Sequence, residues 1–438
     1  MSVDAPRPDW TTATLGSLGN FLRGRGGTKA DVRAAGVPCI RYGDLYTQHN
    51  DIIRGIESFI APERATAYTS LQVGDVVFAG SGETHEEIGK AAAFLGPDPA
   101  VVGADTIIFR PGSRLHPAYL GYAANATRAA RYKARLGQGS SVIHIGTVQL
   151  KELSLDLPPL PEQRRIAEIL DTLDEAIRKT EQVIAKLQQM KQGLLHDLLT
   201  RGIDEHGELR DPERHPEQFK DSPLGRIPRG WEVVPLGARL AGIDAGWSPS
   251  CPEEPPIQDQ WGVLKVSAVS SGTYRPHESK RLPHGLRPVP SLEVQPNDVL
   301  CVRANGVAEL VGKTVYVETT PTKLMLSDKT LRLRPSADTR PRFLYFLLSG
   351  AAARRQIGRL LNGSSGQRNI SQAQIRSLLV AMPPVDEQVA AEAMVGGLER
   401  RVEREGGHLD KLRTLKHGLM DDLLTGRVRV TALSEATA

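Results

Sequence analysis

QLKELSLDLPPLPEQ (149–163) returns as QIRSLLVAMPPVDEQ (374–388), 225 residues further along the chain. The same offset carries KLQQMKQGLLHDLLT (186–200) onto KLRTLKHGLMDDLLT (411–425) without a gap. Pro158-Pro159 falls on Pro383-Pro384, Glu162-Gln163 on Glu387-Gln388, and Asp197-Leu198-Leu199-Thr200 on Asp422-Leu423-Leu424-Thr425. Upstream the match thins but continues at nearly the same offset. Asp75-Val76 meets Asp298-Val299, Gly89-Lys90 meets Gly312-Lys313, and Gly139-Ser140-Ser141 meets Gly363-Ser364-Ser365. Trp10 with Leu15-Gly16 opens one copy, and Trp231 with Leu236-Gly237 opens the other. A unit this long is no solenoid repeat, whose period is roughly 20–50 residues. It is a duplicated domain followed by a duplicated helix.

Proline before and within the first turn is a normal helix entry. After the first proline pair, Leu170, Ile177, Ile184, Lys191 and Leu198 recur every seven residues. Ile166, Leu173, Thr180, Leu187 and Leu194 interleave with them at steps of four and three. That is the seam of a coiled coil. The second copy keeps the register with Val395, Val402, Leu409, Lys416 and Leu423, and with Ala391, Leu398, Glu405, Leu412 and Leu419. A seam needs a partner, and two copies in one chain supply it. An antiparallel pair puts the globular copies at opposite ends. Each helix is predicted at about 36 residues, roughly 54 Å at 1.5 Å per residue. Gly396-Gly397 and Gly406-Gly407 weaken the second helix by about 1 kcal/mol per glycine and predict a bend. The alternative is two amphipathic helices, each folded back on its own domain.

The resulting division is a globular copy over 1–157, a first coiled-coil helix over 158–203, a linker over 204–221, a second globular copy over 222–382, a second coiled-coil helix over 383–427, and a tail over 428–438. Both globular copies read as α+β. Short β-rich runs (75–78, 105–109, 314–317) lie between Gly, Pro and Asp turns, and helical stretches follow near 117–136 and 341–361. The linker is charged, contains proline and is poor in apolar residues.

Composition excludes several classes. Of 438 residues, 40% are hydrophobic and 24% charged, ordinary for a globular protein. Net charge is +4, mildly favouring a polyanionic partner without demanding one. Cys39, Cys251 and Cys301 are scattered, with no paired spacing for zinc and a sparseness that suits a reducing cytosol. The opening MSVDAPRPDW is too polar for a signal peptide, and no run of about 18 apolar residues predicts a membrane span. The expected location is cytoplasmic.

Basic residues precede each Gly-Ser-Ser loop. Arg128, Arg131, Lys133 and Arg135 come before the first, and Arg354, Arg355 and Arg359 before the second. Arg131 and Arg135 land on Arg355 and Arg359, four apart and so on one helix face. Such faces bind phosphates. The loops add Ser140, Ser141 and His144 in one copy, and Ser364, Ser365, Gln367, Arg368 and Asn369 in the other. Arg, Asn and Gln can pair with base edges in two-hydrogen-bond geometry. Lys90 and Lys313, and Arg303 with Asn305, complete the candidate DNA-binding set. A solvated helix face and a polar turn form the competing explanation, which recurrence before the same loop weakens.

Catalytic signatures fall short. Phe78-Ala79-Gly80-Ser81-Gly82 resembles a methyltransferase cofactor loop, but the repeat puts Arg303 and Asn305 at the glycine positions. No Asn/Asp-Pro-Pro-aromatic motif accompanies it. The segment 306–314 (GVAELVGKT) has one residue too many between its glycines for a phosphate loop. Pro97-Asp98 lacks the downstream Glu-x-Lys of a restriction-type nuclease. No metal-ligand spacing is present.

LPPLPEQRRI with its helix, KQGLLHDLLT, and PLGRIPRGWEVVPLG together make the chain resemble the specificity subunit of Type I restriction-modification enzymes along nearly its whole length. MPPVDEQVAA departs from the usual Pro-Glu-Gln entry. The resemblance implies two target-recognition domains, each reading one half of an asymmetric bipartite site in double-stranded DNA, with the paired helices as a ruler. It further implies two methyltransferase subunits using S-adenosylmethionine, and restriction subunits driven by ATP and Mg, with no catalysis and no cofactor in this chain. The readings from other classes are an enzyme in its own right, methyltransferase or nuclease, and a scaffold that assembles proteins without binding DNA.

Overall fold

The computed structural model describes residues 9–27, 29–96, 99–257, 259–363 and 366–430. Pro97-Asp98 and the candidate residues Ser364 and Ser365 lie outside them. The chain separates into two units. Unit 1 is Met1–Gln182 with Gly406–Ala438, and unit 2 is Val183–Glu405. The division passes through both long helices, whereas the sequence reading set the helices apart as separate segments. Each unit takes one globular copy, one end of the first long helix and the opposite end of the second.

Unit 1 is built on two five-stranded sheets. One orders its strands Gly19–Arg23, Thr106–Pro111, Val76–Ala79, Ala91–Phe94 and Ile52–Ile53. The other orders Val32–Arg33, Phe59–Ile60, Val37–Ile40, Ala100–Val102 and Thr69–Leu71. Val76–Ala79 is apolar throughout because both of its faces are covered. Val76 and Phe78 pack with Tyr119 and Tyr122 of the helix Pro117–Asn125. Val77 and Ala79, on the opposite face by strand alternation, pack with Ile40 and Val102 of the second sheet. Unit 2 repeats the plan with fewer strands. Its four-stranded sheet runs Leu240–Ala245, Thr330–Pro335, Val299–Val302, Thr314–Tyr316, and its three-stranded sheet runs Ser279–Arg281, Gly262–Leu264, Leu324–Met325. Val299 and Cys301 face the helix Pro341–Ser349, and Leu300 and Val302 face the second core. Both copies are α+β, as the turn-bounded strand runs indicated.

The long helices are Leu160–Thr200 and Val385–Leu424, 41 and 40 residues, hence roughly 60 Å each and longer than expected. The second runs as one helix through both glycine pairs, because burial of a seam stabilises a helix more than propensity does. Along the first helix, Ile166, Leu170, Ile177, Leu187 and Leu198 are buried, and Leu173, Ile184 and Leu194 half-buried. Along the second, Ala391, Val395, Leu409 and Leu423 are buried, and Leu398, Val402, Leu412 and Leu419 half-buried. In unit 1, Ile166 and Leu170 share a core with Leu423 and Leu419, while Glu181 pairs with Arg413 at 2.7 Å. In unit 2, Leu198 and Leu194 share a core with Ala391 and Val395, while Lys191 pairs with Glu399 at 3.3 Å. Residue numbers fall on one helix as they rise on the other, so the pairing is antiparallel in each unit.

Segment 204–221 is not a loose tether. Asp204 accepts the amides of His206 and Glu208, Arg210 pairs with Glu387 at 2.6 Å, and Phe219–Ser222 forms a hairpin with Gly225–Pro228. Aspartate turns and one shielded ion pair order a stretch that its charge had marked as linker. Among the described residues, no helix is long and apolar enough to cross a membrane.

Candidate nucleic-acid interface

The helix Thr127–Leu136 turns Ala129 and Lys133 inward and leaves Arg128, Arg131 and Arg135 exposed. Its counterpart Ala351–Leu360 turns Ala353 and Ile357 inward and exposes Arg355 and Arg359. Among the described residues, Arg131, Arg135, Arg355 and Arg359 make no ion pair. Arg128 is engaged by Asp156 at 3.1 Å. Arg354 donates to the carbonyls of Val311 and Glu309. Each exposed face borders a groove within its own unit. In unit 1 the groove is lined by Arg131, Met420 and Asp421, and in unit 2 by Arg355, Leu195 and His196.

Each helix leads into the predicted loop, and the two loops are built alike. Gln138 and His144 exchange backbone hydrogen bonds, as do Asn362 and Asn369. Gly139 has φ +127° and Gly363 φ +110°. A Cβ there would lie 2.0 Å from the Val142 carbonyl or 2.2 Å from that of Gln367, so only glycine closes the turn. Ile143–His144 then pairs with Ser81–Gly82, and Arg368–Asn369 with Ala304–Asn305. The strands around the loops are thus equivalent and the side chains are not. Ser140, Ser141 and His144 are exposed, with His144 Nδ1 2.9 Å from Ser81 Oγ. Gln367 is exposed, Arg368 donates to the Gly363 carbonyl, and Asn305 accepts from the Val307 amide.

Two lysines sit elsewhere than a phosphate role requires. Lys133 is buried, donates to the Gly89 carbonyl at 2.5 Å and lies 6.0 Å from the Phe78 ring centre. Burial pushes its ammonium down to about 7, against the nearby Asp51 carboxylate, which pulls the other way. The repeat aligns it with Ile357, which is the signal that could have shown it inward. Lys90 is half-buried beside Asp51 and Glu87, and desolvation lowers its pKa. Lys313 is half-buried, and Arg303 is exposed.

The near-catalytic motifs are structural. A Cβ on Gly80 would meet the Asp105 carbonyl at 3.0 Å, and one on Gly82 the Tyr46 hydroxyl at 2.8 Å. These glycines admit the chain's own groups. Lys313 is followed by the strand Thr314–Tyr316, where a phosphate loop would start a helix.

Sequence reasoning missed what the paired Glu-Gln does. Glu162 accepts the Trp10 indole at 3.1 Å and the Arg429 guanidinium, and Glu387 accepts the Trp231 indole at 3.0 Å and Arg210. Gln163 caps the amide of His116 and donates to the carbonyls of Arg114 and Pro158. Gln388 does the same with Arg340, Asp338 and Pro383. The co-repetition of Trp and Glu was the available signal. The pair anchors the start of each long helix to its globular copy.

Residues 8–189 match the family model described as the Type I restriction modification DNA specificity domain. That match spans the first globular copy and most of the first long helix, 182 of the chain's 438 residues. The EcoEI specificity subunit of Escherichia coli is 38% identical over 186 residues, 42% of this chain but 31% of that protein. The putative MjaX specificity subunit of Methanocaldococcus jannaschii is 26% identical over 96% of this chain and 94% of its own length. Among solved structures, a Type I S subunit from M. genitalium aligns over 98% of this chain and 99% of its own, with TM-score 0.57 at 15% identity. A chain from a structural study of Type I assembly and conformational transition gives TM-score 0.56 at 18% identity, covering 98% of this chain and all of that one. At such identity these two show likeness of fold alone.

Proposed function

We propose that this chain is the DNA-recognition subunit of a Type I restriction-modification enzyme. Each globular copy reads one half of a bipartite site in double-stranded DNA. One observation carries the reading: exposed arginines that make no ion pair among the described residues, 131 with 135 and 355 with 359, precede the same glycine-closed loop in both copies. Phosphate contacts of this kind position a protein on a duplex, and the differing loop residues supply the base contacts. The loops differ, so the half-sites differ. In this reading the paired helices serve as the ruler, since half-sites are met only at fixed separations along a turn of about 34 Å. Two methyltransferase subunits with S-adenosylmethionine, and restriction subunits with ATP and Mg, supply the chemistry.

Binding of the full chain to a labelled duplex across a salt series tests this. Arg355→Ala with Arg359→Ala is expected to weaken binding on every sequence and flatten the salt dependence. Unchanged affinity and slope refute the phosphate role. Absence of salt-dependent binding by the parent chain favours a scaffold. Inserting four residues after Lys186 is expected to change the spacer of the methylated motif, and an unaltered motif refutes the ruler.

A further inference from the structure

In unit 2 the strand Val299–Val302 pairs with Thr330–Pro335 so that Val302 faces Thr330. One step beyond, Arg303 stands opposite Lys329, and the Arg303 amide donates to the Lys329 carbonyl at 2.8 Å. Both residues are exposed. Side chains directly opposite on neighbouring strands have Cβ atoms about 5 Å apart, and like charges there are destabilising. Among the described residues, neither Arg303 nor Lys329 makes an ion pair, and the adjacent Asp328 pairs with neither. The Ile370 amide donates to the Arg303 carbonyl at 3.0 Å. The two cations therefore stand at the base of the loop that carries Gln367.

The corresponding place in unit 1 has the same backbone and different chemistry. Thr106 faces Ala79, Gly80 donates to the Asp105 carbonyl at 2.7 Å, and Ile145 donates to Gly80. Gly80 and Asp105 thus stand where Arg303 and Lys329 stand, and neither is a cation. The scaffold does not require the charges, so they answer to something outside the fold. Two unneutralised cations on adjoining strands fit a phosphate, which relieves their mutual repulsion.

We infer that Arg303 and Lys329 form a phosphate clamp on duplex DNA that unit 2 has and unit 1 lacks, so that the two half-sites are held by unequal numbers of backbone contacts. The inference rests on the DNA-recognition reading above. The test measures anisotropy of a fluorescein-labelled mixed-sequence duplex with the full chain from about 50 to 200 mM salt, the range over which phosphate contacts show. Arg303→Gln with Lys329→Gln is expected to weaken binding and to flatten the log–log salt slope by about 0.9 for each phosphate no longer neutralised. Arg303→Lys with Lys329→Arg is expected to keep the parent slope, as is Lys220→Gln, an exposed charge on the hairpin. Parent-like affinity and slope in the double glutamine variant overturn the clamp while leaving the DNA reading intact. A parent chain with no salt-dependent binding overturns the DNA reading and the clamp with it.

Discussion

Lys416 lies 2.5 Å from Asp174 on the facing helix, and the repeat reproduces the pair in unit 2 as Lys191 with Glu399. A lysine in an apolar seam is costly unless paired. Here each copy of the polar interruption meets an acid from the other helix, which selects one register. The two pairs differ in burial. Lys416 also reaches Asp51 of the globular copy at 2.6 Å and is 14% exposed, whereas the Lys191 side chain is 33% exposed.

Lys416→Ala therefore strands two shielded carboxylates and is expected to cost unit 1 about 3–5 kcal/mol. Lys191→Ala is expected to cost unit 2 about 1 kcal/mol or less. Hydrogen exchange resolved by unit measures both. Equal losses would contradict the burial difference.

Lys133 makes stability depend on pH. Its folded pKa is about 7, below the unfolded value near 10.4. Between these values the unfolded chain binds more protons, so stability rises with pH across that window, and the full penalty applies below pH 7. Lys133→Met, with Ile357 as the apolar precedent in the other copy, is expected to stabilise unit 1 by several kcal/mol near neutrality. The gain fades towards pH 10. Denaturant melts at several pH values check it, and a pH-independent gain would contradict the burial account.

Glycines at two kinds of position should respond in opposite directions. Gly407 is inside the second long helix with nothing within 4 Å of a Cβ, so Gly407→Ala is expected to add about 1 kcal/mol. Gly139→Ala collides with the Val142 carbonyl at positive φ. It is expected to speed exchange of the His144 amide by breaking the Gln138–His144 bridge, with the core of unit 1 retained.

The duplication, the α+β class, the seam register and the arginine faces were legible in the chain. Each is a one-dimensional regularity: identity at a fixed offset, apolar spacing at alternating steps of four and three, charge spacing of four. The inward turn of Lys133, the capture of Arg128 by Asp156, the ordered 204–221 segment and the Glu162 and Glu387 anchors were not read there. Nor was the Arg303–Lys329 juxtaposition, which depends on the pairing of two strands far apart in the chain. Sequence alone determined that this protein is two unlike α+β copies, each followed by a copy of one long helix. Tertiary structure decided which charges are spent inside the fold and which stay exposed, because that depends on where distant carboxylates and carbonyls come to rest.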